Sequence, residues 1–136
     1  MDDLERFVDQ DAFARHVGIE MLAYGDGRAT ARLEVEDHHL NSAGCLHGGA
    51  VFALADAAFS AAANSHGALA LSIDANISYF EAVTGGTLIA EAHEVARNAK
   101  LATYLIEVRD EDGGLIAHFR GTVYRKRAAI GDVLAP

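Results

Sequence analysis

The chain has 136 residues, 51% of them hydrophobic, with 11 Lys and Arg against 20 Asp and Glu and a formal net charge of −9. This length suits one domain with a real core. The negative charge and the lack of a dense basic stretch argue against a nucleic-acid partner, and the single cysteine, Cys45, rules out an intrachain disulfide and a cysteine-based zinc site. The first residues, Met1-Asp2-Asp3-Leu4-Glu5, are acidic and lack the apolar core of an export signal. The longest apolar run, 48–64, is shorter than the ~20 residues of a membrane span and carries Asp56 at its centre. The expectation is a soluble, cytoplasmic protein without a membrane partner.

In chain order, residues 1–10 are expected to be a mobile end. Asp11 to Val17 predicts a short helix with Asp11 as N-cap and Gly18 just beyond its end. Ile19 to Tyr24 predicts a strand, Gly25-Asp26-Gly27 a turn, and the alternation from Arg28 to Val35 a half-buried strand. Residues 36–47 read as a loop, with His38-His39 solvated. The alanine-rich run 48–64 predicts a helix, closed by Ser65-His66-Gly67.

The period then changes to two: Ser72, Asp74, Asn76 and Ser78 alternate with Ile73, Ala75, Ile77 and Tyr79. After Gly85-Gly86, strands are predicted over Thr87–Ala96, Leu101–Arg109 and Leu115–Arg125. Arg97-Asn98-Ala99-Lys100 and the acidic turn Asp110 to Gly114 join them. Residues 126–136 are expected to be a second mobile end. Consecutive strands with tight turns imply an antiparallel sheet. A helix that is apolar on nearly every side must be covered on several of them, which a strongly twisted sheet wrapped around it achieves. The expected fold is a single α+β domain over residues 1–136.

Within the helix, Asp56, Ser60 and Asn64 fall at i, i+4 and i+8, in one narrow polar stripe. A buried carboxylate without a cationic partner is costly, so Asp56 is the first candidate for chemistry. The preceding segment, Asn41-Ser42-Ala43-Gly44-Cys45-Leu46-His47-Gly48-Gly49, is small and polar and ends in two glycines where the helix must start. Bare N–H groups at a helix N-terminus suit an oxyanion or a polarised carbonyl.

The pattern resembles the hot-dog fold acyl-CoA thioesterases, and among them the phenylacetyl-CoA thioesterase family of phenylacetate degradation. The residues that carry the likeness are His39-Leu40-Asn41, His47-Gly48-Gly49, Leu54-Ala55-Asp56 with Phe59, Asn64 and Gly67, then Ile77-Ser78-Tyr79-Phe80 and Phe119-Arg120-Gly121-Thr122-Val123-Tyr124-Arg125. Together they cover roughly residues 12–125. The resemblance implies an enzyme that hydrolyses an aryl-acyl or hydroxylated aryl-acyl thioester to free acid and coenzyme A, without metal or prosthetic group. It implies that Gly48 polarises the carbonyl, Asp56 acts as general base or nucleophile, and Asn41 orients the substrate carbonyl or the water. Ser60 is placed to donate to Asp56, and His47 to position the glycines. Gly49 joins Gly48 on the substrate.

The family commonly carries a basic residue and a proline after the Tyr/Phe-Phe step, where this chain has Glu81-Ala82-Val83. That departure shifts the expected phosphate contacts to Arg97, Asn98 and Lys100. Two other readings stay open: a hot-dog dehydratase acting on hydroxyacyl thioesters, and a non-catalytic acyl-CoA binding module. Cys45, close to His47, is read as a small hydrophobe rather than a nucleophile, and the histidines show no metal-ligand spacing.

Gly48 and Asp56 lie eight residues apart on one helix, ~12 Å along its axis, so one carbonyl cannot touch both. A homodimer that sets one chain's Gly48 beside its partner's Asp56 is therefore expected, with two shared active sites and further pairing to a homotetramer.

Overall fold

Acidic caps start the first two helices: Asp2 accepts the N–H of Glu5, and Asp11 that of Ala14. In the computed structural model, which describes residues 1–136, they open α1 (Asp3–Asp9) and α2 (Ala12–Val17). The chain continues through β1 (Glu20–Gly25), β2 (Arg28–Glu34), α3 (Gly48–Asn64), β3 (Ala68–Tyr79), β4 (Thr87–Arg97), β5 (Leu101–Arg109) and β6 (Leu115–Ala129). All six strands form one antiparallel sheet in the order β1-β2-β4-β5-β6-β3.

The long helix lies against that sheet, with Leu54, Ala55, Ala58 and Ala62 fully buried on Leu33, Leu88, Ile106 and Val108. Each buried Leu, Ile or Val is worth about 1.5–3 kcal/mol. Alanine on the helix permits a close approach, and Gly121 on β6 completes it. A Cβ at Gly121 would stand 2.6 Å from the Phe59 ring and 3.0 Å from that of Phe119. Phe59 instead stacks obliquely between Phe119 and Tyr104, with ring centroids 5.5 and 5.8 Å away.

Three features differ from the expectations. The ends expected as mobile carry regular structure and hold each other. Arg6 Nη2 donates to the Ala135 carbonyl at 3.1 Å, and the Gln10 side chain donates to the Val133 carbonyl and accepts from the Ala135 N–H. β6 outruns its expected end because β3 begins at Ala68 rather than Ser72, which pairs Ala68 with Ala129. His39 is buried rather than solvated: it sits in a 3-10 turn, accepts the Glu36 N–H at Nδ1 and reaches the Val17 carbonyl with Nε2.

Leu71 to Asn76 of β3 is exposed on both faces, with Ile73 at 61%. β3 is also an edge strand, bonded only to β6, so one row of its backbone N–H and C=O groups is unpaired within the sheet.

Candidate active site

The loop before α3 is built by Asn41. Its Oδ1 accepts the N–H groups of Ala43 and Cys45 at 2.9 and 3.1 Å, and its own N–H donates to the Cys45 carbonyl. This arrangement spends the amide oxygen on the loop and leaves the side-chain NH2 unpaired. An orienting donor needs that free NH2.

At the helix start, His47 is the N-cap and its Nδ1 accepts the Gly49 N–H at 2.8 Å. The Ala50 and Val51 N–H groups turn back to the His47 carbonyl. Among the first N–H groups of α3, that of Gly48 alone has no acceptor in the chain, and it sits at the positive end of a 17-residue helix. The Gly48 N–H is thus a free donor. Gly49 is not a free donor. Its N–H is taken by His47, and a Cβ there would meet His47 Nδ1 at 2.9 Å, so it makes room for the cap.

A residue outside the sequence-derived site completes this end. Tyr79, the last residue of β3, donates its hydroxyl to the Gly48 carbonyl at 2.9 Å. The peptide that follows Gly48 is therefore held at both ends, by Tyr79 on its carbonyl and His47 on its N–H. Burial raises the Tyr79 phenol above its ordinary 10.0, which keeps it a donor. Tyr79 belongs to the family likeness, but no spacing rule links it to Gly48, 31 positions away. Asn41, Cys45, Gly48, Tyr79 and Phe80 line a cavity of about 370 Å³ here.

Asp56 stands two turns further along α3, half-buried and without an ion pair. Burial raises its carboxyl above the ordinary 3.8, and the negative charge of Asp11, the α2 cap, raises it further. The same lack of compensation suits a proton acceptor. Ser60 makes no hydrogen bond to Asp56 in this chain; its side chain lines a larger cavity beside α1 and α2. Asn64 leaves the polar stripe altogether. Fully buried, it accepts the Ala70 N–H at 2.8 Å and donates to the carbonyls of Ser60 and Ala70.

The β4–β5 turn is locally built: Asn98 Oδ1 accepts the N–H groups of Lys100 and Leu101, so that oxygen is spent on the turn. Arg97 lies 4.0 Å from Glu94, while Lys100 has no ion pair. Arg125, which sequence reasoning left out, donates to the Asn98 carbonyl at 2.8 Å. With Lys126 and Arg127 beside it on β6, this corner holds five of the chain's 11 cationic side chains.

The chain thus presents a free helix-terminal donor and a desolvated carboxylate on one helix, with an amide donor at the near end. Comparison with known proteins agrees with that chemistry. Residues 43–117 match the thioesterase superfamily. The chain is 32% identical over 118 residues to the acyl-coenzyme A thioesterase PaaI of Escherichia coli, covering 86% of this chain and 84% of that one. It is 30% identical over 115 residues to human acyl-coenzyme A thioesterase 13, covering 81% and 82%. The solved structure of the E. coli PaaI protein, from the phenylacetic acid degradation operon, superposes with a TM-score of 0.89 over 93% of each chain at 30% identity. Sheet, helix, site chemistry and relatives agree: the chain belongs to the thioesterase superfamily and is a thioester hydrolase of the hot-dog fold.

Proposed function

We propose that this enzyme hydrolyses acyl-CoA thioesters, with an aryl-acyl or hydroxylated aryl-acyl group preferred. The observation that carries the reading is the pairing of an unpartnered Gly48 N–H with the desolvated Asp56 carboxylate. The two similar acyl-CoA thioesterases support the coenzyme A ester, and the E. coli operon supports the aryl group.

In the reaction, the Asp56 carboxylate takes a proton from water as the water oxygen attacks the thioester carbon. The charge that develops on the carbonyl oxygen is met by the Gly48 N–H and the α3 dipole, while the Asn41 NH2 orients carbonyl or water. Collapse of the tetrahedral intermediate breaks the C–S bond, and the proton passes to the leaving thiolate, giving free acid and coenzyme A. Direct attack by Asp56 would instead form a mixed anhydride that water then opens. Label found in Asp56 after a single turnover in 18O-water identifies the anhydride route, because only an anhydride opened at the Asp56 carbon leaves 18O there. Neither route calls on a metal or prosthetic group, and the reading places the reaction in the cytoplasm.

Both catalytic groups of one site cannot come from one chain, because α3 holds them ~12 Å apart. The exposed edge of β3 offers the means of joining two. Antiparallel pairing of β3 with the same strand of a second copy would bury Leu71 and Ile73 and bring one chain's Asp56 to the other's Gly48. It would also reverse the ends of the strand. Arg125 pairs with Ala70, nine residues and ~30 Å from Tyr79, so the cationic corner of one chain would approach the Gly48 end of its partner. Coenzyme A phosphates would then meet Arg97, Lys100 and Arg125. Native mass spectrometry reads whether such dimers pair into tetramers.

The test of the reaction is thiol release from a panel of acyl-CoA esters by wild type and by Asp56→Asn. Hydrolysis gives free thiol, dehydration of a hydroxyacyl ester gives an enoyl ester without thiol, and a binding module gives neither. Thiol release that survives Asp56→Asn at the wild-type rate would remove the assignment.

A further inference from the structure

We propose that His39 is a positioning residue of the reaction: its buried ring fixes the base of the loop that carries both donors, the Gly48 N–H and the Asn41 amide. The proposal rests on the hydrolase reading above and adds to it a residue that acts on the donors without touching substrate.

The loop folds back on itself. Leu40 bridges Leu46 in antiparallel fashion, the Asn41 N–H donates to the Cys45 carbonyl at 2.7 Å, and the His47 N–H donates to the His39 carbonyl at 2.8 Å. His39 and His47 are therefore its base, and the Leu46 N–H ties one arm to the Val83 carbonyl. The Gly48 N–H belongs to the peptide that joins His47 to Gly48, so its direction is set by what holds His47. The N–H groups of Ala50 and Val51 hold the carbonyl of that peptide, and the His39 carbonyl holds the N–H of His47. Asn41 lies two residues beyond His39 on the other arm. A shift of the base moves both donors together.

What holds the base is the His39 ring. Its Nδ1 accepts the Glu36 N–H at 3.0 Å, and the Val17 carbonyl, which can only accept, assigns the ring proton to Nε2. α2 ends at Gly18, with φ 95°, so the Val17 carbonyl has no further helical turn to accept from, and the His39 ring is its donor. The His38 ring packs obliquely on that of His39, with centroids 4.1 Å apart. Buried and with both nitrogens spent, the ring is not an acid or base of the reaction. It is a strut between the end of α2 and the donor loop. Small movements of such a loop matter, since a misplacement of about 1 Å costs ~10²-fold in rate.

The experiment uses the full chain and the ester that wild type turns over fastest. It measures kcat and KM for thiol release per folded molecule, and hydrogen–deuterium exchange of peptides spanning 40–49. His39→Leu fills the space and removes both hydrogen bonds of the ring. Its kcat is expected to fall by about 10–100-fold with KM changed less than about threefold, and its 40–49 amides to exchange about tenfold faster or more. His39→Gln carries an N–H that reaches the Val17 carbonyl and should keep kcat within about fivefold of wild type. His39→Asn, one methylene shorter, does not reach it and should behave as His39→Leu; these two carry the test if His39→Leu does not fold. A merely structural histidine would change yield or melting temperature and leave the kcat of folded molecules alone. Wild-type kcat in folded His39→Leu, or equal kcat in His39→Gln and His39→Asn, overturns the positioning role and leaves the hydrolase standing. Unchanged exchange at 40–49 in His39→Leu overturns the strut whatever the activity. Thiol release from no ester by wild type overturns the hydrolase reading, and the catalytic role of His39 with it.

Discussion

The two ends of α3 are built on opposite principles. At the C-terminal end the polar side chains are paired. Asn64 makes three hydrogen bonds, Ser65 Oγ donates to the Ala62 carbonyl and accepts the Gly27 N–H, and the Glu94 carboxylate accepts from both Tyr104 and His66 at 2.8 Å. Burial alone would raise the Glu94 carboxyl. The Tyr104 and His66 hydrogen bonds, with the charges of His66 and Arg97, outweigh it and hold it below its ordinary 4.5. At the N-terminal end and middle, the Gly48 N–H, the Asn41 NH2 and the Asp56 carboxylate have no partner in the chain. A polar group that is satisfied holds the fold; one left unsatisfied beside a cavity is available to a substrate.

That contrast can be broken from either side. The largest expected effect is at Asp56. Asp56→Asn should lower kcat by about 10²–10⁴-fold, the range for a lost general base, yet raise thermal stability. The sign follows from linkage. The folded carboxyl titrates above its ordinary 3.8, so the native state binds the proton more tightly. Stability therefore falls as pH rises from the unfolded pKa through the folded one, and the deficit persists at neutral pH. Asparagine cannot ionise and removes it. Kinetics and a thermal melt of one preparation check both halves.

Asn64→Ala should do the reverse. It strands the buried N–H and C=O of Ala70, at a cost of about 1–3 kcal/mol. The turnover of the molecules that remain folded should stay near wild type. Denaturant titration beside active-site-normalised rates measures it.

Tyr79→Phe frees the Gly48 carbonyl without touching its N–H. A drop of roughly 3–10-fold in kcat, with KM little changed and stability within about 1 kcal/mol, is expected of a residue that only positions the donor.

The smallest effect is a shift in a pH profile. Activity needs the Asp56 carboxylate, so it is present above that group's pKa and lost below it. Asp11→Asn removes the second cause of the raised pKa and keeps the α2 cap, because asparagine caps as well as aspartate. The acid limb of kcat should move to lower pH, while the burial that is the first cause keeps it above the ordinary value.

Much of this was legible in the sequence because local rules govern it. The helix 48–64, its capping segment and the alternating strands are fixed by alanine content, glycine placement and period. The isolation of Asp56 follows from the same pattern. What escaped depends on contacts distant in sequence. Asn64 shares the spacing of Asp56 and Ser60, and only the arrival of Ala70, near the start of β3, turns it into a structural clamp. Tyr79 reaches Gly48 because β3 returns along the whole helix. Residues 1–10 are tied to the backbone of residues 133–135, at the far end of the chain. The exposed stretch of β3 finds no cover within one chain.

The central claim is that Gly48 and Asp56 act on one thioester from two chains, and mixed mutants test it most directly. Asn41→Ala and Asp56→Ala homodimers each have two crippled sites. Co-unfolding and refolding an equal mixture gives about half heterodimer, in which both lesions fall in one site and the other is intact, so activity should return to roughly a quarter of wild type. If each site were built within one chain, every heterodimer site would carry one lesion. No recovery, with heterodimer abundant by native mass spectrometry, would contradict the shared site.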